Sequence, residues 1–306
     1  MATNDRSLLI KASSRRQRMW RENLEGWFFI SPFLIGFLVF TARPFITAIY
    51  YSLNRYDFLS PPMWVGLQNY QRLFSDPRIF EWLGWTTAFA IFSVLASMII
   101  GLILALIANT EVRGIAVIRT VYYLPSQLNP VAMAFVWGWL FSPQVGLFNY
   151  ALSLVGIQGP DWLSDPNWLL PATVIMMVFG AGGSMIINLA GLKGIPDTFY
   201  EAAQLDGASS WQMLLRITLP LLSPTIFFNL VMGIIGALQS FTTLYLLLGP
   251  RAPVYMVQLY LVAFDRLNIG YGSAMAWVLF FYIVFLTALV FRSSAFWVHY
   301  ESARAR

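Results

Sequence analysis

The chain has 306 residues, 58% of them hydrophobic and 11% charged, with a net charge of +5. A mean hydropathy of +0.65 excludes an ordinary soluble domain, in which about a quarter of the residues carry charge. With no cysteine, disulfides and thiolate metal sites are excluded too; the basic residues are distributed as for membrane topology rather than for nucleic acid.

In chain order, residues 1–26 are polar and basic, with Arg6, Lys11, Arg15, Arg16, Arg18 and Arg21. The basic stretch is long and no small-residue cleavage site follows the apolar run, so it reads as a positive-inside anchor rather than a cleavable signal. Six apolar stretches of the roughly 20 residues that a bilayer-crossing helix requires then follow, at 27–51, 82–108, 118–141, 169–192, 219–248 and 272–298. Arg43 falls inside the first, where its stem can reach for the outer headgroups. With the N-terminus inside, inner segments hold Arg113, Arg119, Lys193, Arg216, Arg292, Arg304 and Arg306 besides the six at the start. Outer segments hold only Arg55, Arg72, Arg78, Arg251 and Arg266. That asymmetry assigns both termini and the 193–220 connection to the cytoplasm. Trp82, Trp85, Trp168 and Trp297 near span ends suit an aromatic belt. The outer connection 143–168, PQVGLFNYALSLVGIQGPDWLSDPNW, joins a short amphipathic run to turn residues.

The inner connection 193–220, KGIPDTFYEAAQLDGASSWQMLLRITLP, is the longest polar interruption between two strongly apolar segments. Asp197 or Thr198 is expected to cap a short helix with Phe199, Ala202, Ala203 and Asp206 on one face. Gly207 supplies the left-handed residue that ends it. Ser209 and Gln212 have the spacing of a capping box, reopening a helix that carries Trp211, Leu214 and Leu215 on one side. Leu219-Pro220 then enters the next span, where proline is tolerated in a first turn.

Glu201-Ala202-Ala203, Gly207, Ile217 and Leu219-Pro220 resemble the EAA loop of membrane subunits of binding-protein-dependent ABC importers. The wider string YEAAQLDGASSWQMLLRITLPLLSP is similar to the maltose-type carbohydrate permeases of that group, as are RTVYYLPSQLNPVAMAFVWGWLFSP at 119–143 and the outer connection. The resemblance covers nearly all of residues 25–300. One departure is Leu248-Gly249-Pro250, where such permeases usually carry a Thr-Gly-Gly-Pro turn. The resemblance implies an all-α polytopic membrane protein with six transmembrane helices in the type-1 importer permease fold. It would comprise the basic segment 1–26, a first helix and outer loop at 27–80, a transmembrane domain at 81–298 and a tail at 299–306. Implied partners are a second permease of the same fold, a dimer of ATP-binding subunits and an extracytoplasmic binding protein docking at the outer connection. The implied setting is a bacterial or archaeal inner membrane. Tyr200, Glu201, Ala202, Ala203, Asp206 and Gly207 would form the ATPase-coupling loop.

Absences narrow the chemistry. No G-x-x-x-x-G-K-[ST] loop or H-E-x-x-H motif occurs, and the single histidine, His299, sits at an inner span end. No catalytic residue, metal or cofactor is expected, and no Asp or Glu lies inside a drawn span, which disfavours an ion-coupled secondary transporter. Uncharged polar residues do occur there: Ser126, Gln127 and Asn129 in the third span, Ser184 and Asn188 in the fourth, and Asn229, Gln239, Ser240, Thr242 and Thr243 in the fifth. Each is costly against lipid and is expected to face another helix or a wet cavity. Gly233, Gly236, Gln239 and Ser240 share one face at helical spacing, beside Phe241. With Asn188 and Asn129 they are the candidate solute path, a neutral lining suited to a sugar or oligosaccharide. Glycerol phosphate or a polyol is the alternative.

Overall fold

The computed structural model describes residue 20 and residues 22–299; most of the expected basic anchor, and the tail past His299, lie outside the described residues. Helix α1 (Glu22–Ser52) is widened by a π turn at Leu38–Ala42, just before Arg43-Pro44. Pro44 lacks the N–H a helix interior needs and its ring crowds the preceding turn, which a wider turn accommodates. Arg43 is exposed on this helix. A two-strand ribbon, β1 (Asn54–Arg55) against β2 (Met63–Trp64), and helix α2 (Gln68–Ser75) cap the outer end. Asn69 donates to the Ser52 and Asn54 carbonyls at 2.9 and 3.0 Å, and the Tyr70 hydroxyl donates to Ser52 Oγ at 2.8 Å.

Helix α3 (Pro77–Ala108) is started by Asp76, which accepts from the Arg78 N–H at 3.1 Å. At its inner end, Arg119 donates through Nε and Nη2 to the Ala108 carbonyl at 2.9 and 2.6 Å, a cation at the negative end of a helix. The expected span at 118–141 is divided: α4 (Ile115–Tyr123), a 3-10 turn at Leu124–Gln127, and α5 (Pro130–Leu140). Pro130 pushes the residue before it out of helical conformation: Asn129 is extended and caps α5 by accepting from Val131 N–H at 2.8 Å, whereas Leu124 before Pro125 stays helical and Pro125 opens the 3-10 turn. The outer connection forms α6 (Leu147–Leu154). The expected span at 169–192 is two helices, α7 (Pro166–Phe179) and α8 (Gly182–Lys193), bent by 49° across Gly180-Ala181.

The inner loop carries α9 (Thr198–Leu205), and α10 (Ser210–Leu238) then crosses in one piece, with a π turn at Leu214–Thr218 ahead of Pro220. The expected fifth span ran on to residue 248, but α10 stops at Leu238. A separate α11 (Thr242–Leu248) and α12 (Tyr255–Tyr260) follow as a pair bent by 74°. Helix α13 (Ile269–Trp297) closes the chain. Among the described residues four helices are long and apolar enough to cross a membrane, and six crossings are reached when each bent pair counts as one.

Helix α3 is the axis, packing on α7, α8, α10 and α12, while α1 leans on α13 and α5 on α11. Close approach is bought by missing side chains. A Cβ on Gly182 would strike the Tyr122 carbonyl, one on Gly101 would meet Ser184 at 2.8 Å, and one on Gly233 would meet Val94 at 2.9 Å. These contacts bring α8 onto α4 and α3, and α10 onto α3.

Candidate functional site

Two places carry function-like geometry, the inner loop and a cavity between α3, α7, α8 and α10. In the loop, Asp197 is itself helical and makes no side-chain cap, which corrects the expectation of an Asp197 or Thr198 cap; α9 starts instead with Tyr200 and Glu201 N–H donating to the Asp197 carbonyl at 2.9 and 3.0 Å. The other end is as expected. Gly207 has φ +77°, and after Asp206 at the C-cap the Gly207 and Ala208 N–H groups donate to Gln204 and Ala203 carbonyls at 3.0 and 2.9 Å. This is the paired closure of a Schellman motif. Ser209 and Gln212 bond reciprocally, Gln212 N–H to Ser209 Oγ at 3.3 Å and Ser209 N–H to Gln212 Oε1 at 2.7 Å.

Tyr200 is half-buried and its hydroxyl lies 3.0 Å from Thr218 Oγ1, tying α9 to the π turn of α10. Ala203 is half-buried, whereas Glu201, Ala202 and Asp206 are exposed. Phe199, Trp211 and, at 90%, Leu205 are exposed as well. The loop is a rigid piece presenting apolar side chains and a carboxylate outward.

The cavity has a volume of about 290 Å³ and is lined by Ser93, Ser97 and Met98 of α3, Gly180 and Ser184 at the α7–α8 bend, and Asn229, Met232, Gly233 and Gly236 of α10, among others. Among the described residues no ionisable side chain lines it. Asn229 Nδ2 donates to Asn188 Oδ1 at 3.0 Å, and Asn188 Nδ2 donates to Ser184 Oγ at 3.4 Å. The first of these joins two helices, and a bond of that kind contributes roughly 0.6 kcal/mol in a membrane, so its polarity matters more than its strength.

Gly233 and Gly236 line the cavity, and a Cβ on Gly236 would meet open space. Gln239 and Ser240 do not line it: α10 ends at Leu238, and the single four-residue face expected across 233–240 does not exist. Phe241 joins a ring stack with Tyr245 and Tyr260, at centroid distances of 5.4 and 4.8 Å. Asn129 is spent on capping α5. The sequence reading missed Ser93 and Ser97, whose i, i+4 spacing with Gly101 marks a small-residue face on α3.

The family described as binding-protein-dependent transport system inner membrane component matches residues 97–298. The chain belongs to this family. It is 39% identical over 300 residues to the probable ABC transporter permease protein YesP of Bacillus subtilis, covering 95% of this chain and 97% of that one. It is 33% identical over 282 residues to the trehalose/maltose transport system permease protein MalF of Thermococcus litoralis, covering 90% and 96%. In three dimensions it is similar to a chain of a bacterial alginate ABC transporter, solved with a periplasmic protein bound to an alginate pentasaccharide. There the TM-score is 0.76 at 25% identity, over 90% of this chain and 97% of that one. The family and these relatives are transport permeases of ABC systems, and this chain is a polytopic permease with the type-1 importer fold. The bends and breaks in its spans are therefore features of a transport protein, where irregular backbone is tolerated beside a cavity.

Proposed function

We propose that the chain forms, with a second permease of the same fold, the path of a neutral sugar or oligosaccharide into a bacterial or archaeal cell. The solute arrives on an extracytoplasmic binding protein, and a separate ATPase dimer supplies the energy. The observation that carries this reading is the uncharged cavity held between α3, α8 and α10, where the Ser93, Ser97 and Ser184 hydroxyls and the Asn229 amide stand among small and apolar residues. Such a lining suits hydroxyl groups, whereas a phosphate would call for a fixed cation that no residue of this lining provides. The names of relatives that import trehalose, maltose or starch degradation products agree with it.

Residues 81–298 act as the transmembrane domain, and Tyr200, Glu201, Ala202, Ala203, Asp206 and Gly207 as the ATPase-coupling loop. A capped helix with exposed Phe199, Leu205 and Trp211 is suited to a groove on the ATPase, and Tyr200 passes its displacement to α10 through Thr218. At the other end, α6 is suited to meet the binding protein. Asn149 pins it to the Pro143 and Pro160 carbonyls and accepts from Trp162 Nε1 at 2.6 Å, leaving Leu147, Tyr150 and Leu154 exposed.

The test is purification of the cognate binding protein with whatever it retains, then uptake of that compound by the reconstituted transporter. A neutral sugar taken up only with ATP is expected. A retained phosphate ester, or uptake driven by an ion gradient without ATP, would refute the reading.

A further inference from the structure

The outer ribbon β1–β2 carries an apolar surface that the other described residues leave open. Between Asp57 and Arg72 no residue is charged, and Phe58, Leu59, Met63, Trp64 and Leu67 are exposed, Leu59 at 83%. The tip is nevertheless held in one shape. Asp57 Oδ1 accepts from the Leu59 and Ser60 N–H groups at 3.1 and 2.9 Å, with Phe58 between them in the left-handed backbone at φ +64°. Val65 N–H donates to the Leu53 carbonyl at 3.0 Å and extends the pairing of the two strands. Five large apolar side chains fixed in open water would invite aggregation. At a bilayer surface the same side chains are stabilised.

The body sets the level at which the ribbon leaves it. The Gly270 N–H donates to the Tyr56 carbonyl at 3.1 Å, tying the ribbon to the first turn of α13. One residue on, the Arg72 guanidinium lies over the Tyr271 ring at 4.7 Å. Arg55 is exposed on β1 itself, opposite Met63. Among the described residues neither arginine has an ion-pair partner. Arg78, paired with Asp76 and 5.9 Å from the Trp82 ring, marks the same end on α3. Two unfilled cations therefore stand beside an apolar tip at the outer ends of α3 and α13, where lipid headgroups begin. The ribbon also continues α1, whose most apolar stretch no other described residue buries. We propose that the ribbon is a lipid anchor: Phe58, Leu59, Met63 and Trp64 enter the outer leaflet, and Arg55 and Arg72 hold its phosphates, favouring anionic headgroups. It fixes the outer ends of α1 and α13 at one depth, whatever the solute. A binding protein suits the tip less well, because each departure would bare the same side chains to water.

The chain has no cysteine, so Leu59→Cys gives it one site for a bimane fluorophore, with the unsubstituted transporter as background. The assembled transporter is reconstituted into vesicles of phosphatidylcholine and phosphatidylglycerol. Lipids brominated on their chains are expected to quench the label. Iodide in the buffer should quench it several-fold less than it quenches bimane on Gln158→Cys, an exposed position of the outer connection. Brominated phosphatidylglycerol should act at a mole fraction about fivefold lower than brominated phosphatidylcholine, the preference that one arginine confers beside an anionic headgroup. Arg55→Gln with Arg72→Gln should level the two lipids. Iodide quenching equal to that at Gln158→Cys would leave the tip in water and overturn the anchor. Shielding from both quenchers, at rest or on adding loaded binding protein, would seat the tip on a protein and overturn it as well. Lipid quenching with no headgroup preference would overturn the role of the arginines.

Discussion

The inner loop at 193–220 lies between α8 and α10 and the bent pair α11–α12 between α10 and α13, and they are held in opposite ways. The loop is fixed within itself, by bonds three to five positions apart (Gly207 to Gln204, Ala208 to Ala203, Ser209 to Gln212) and by Tyr200 on Thr218 across 18. Phe199, Leu205 and Trp211 stay outside. The pair is fixed by distant partners: the Tyr255 N–H donates to Thr86 Oγ1 across 169 positions and its hydroxyl to the Met275 carbonyl across 20, with the side chain fully buried. Gln258 Nε2 closes the turn onto the Pro250 and Ala252 carbonyls at 2.9 and 2.8 Å. The difference separates a folded piece able to move as a unit from one that is part of the core. The loop suits docking, and the pair suits bracing the outer end of α3 against α13.

The comparison breaks most visibly at Tyr255. Tyr255→Ala empties a fully buried aromatic position and removes the hydroxyl's bond to the Met275 carbonyl, leaving the N–H on Thr86, at a cost of roughly 3–5 kcal/mol. Thermal unfolding of the purified transporter should show a large drop in melting temperature, and a drop of under a degree would mean that the pair is not core. Gly207→Val comes next, costing about 1–2 kcal/mol because an L residue must take the left-handed conformation. Here the cost is confined to the loop: the melting temperature should barely move, while ATPase co-purification and transport are lost. A global melting shift with docking intact would make the loop structural. Ser209→Ala removes one half of the capping box, at about 1 kcal/mol, and should weaken ATPase docking measurably less than Gly207→Val does.

These contrasts also explain what was legible beforehand. Gly207, Ser209 and Gln212 act on their own neighbours, so their spacing announces the turn and the box. Asp197 had the right residue type and the wrong backbone conformation, which spacing alone does not reveal. Pro130 did signal the break in the third span, but the apolar stretches on either side of it within 118–141 masked it. The pair at 242–265 was unreadable because Thr86, its anchor, is an ordinary residue of another span. For the same reason Asn188 and Asn229 were each visible as polar residues in apolar helices, while their bond, made across 41 positions, was not. The 233–240 face failed at its end, since nothing local states that α10 stops at Leu238.

The smallest expected effect is on the outer side. The Arg78 side chain, bonded to Asp76 at 2.8 Å, holds that carboxyl below the usual carboxylate range. A carboxylate depressed in the folded state stabilises fully above its ordinary pKa, and that stabilisation is lost as pH falls through the depressed value. Acid should therefore loosen the start of α3, and Asp76→Asn should abolish this part of the pH dependence of amide exchange around residues 77–80. An unchanged profile would remove Asp76 as its source.

The central claim, that the cavity between α3, α8 and α10 carries the solute, is tested most directly by Gly236→Leu. A Cβ at this position meets open space, so the side chain plugs the cavity without displacing the backbone. ATP-driven uptake by the reconstituted transporter should fall to background, while assembly and ATP hydrolysis stimulated by loaded binding protein persist. Uptake at the unmodified rate, with unchanged concentration dependence, would contradict the account and move the path onto the partner subunit.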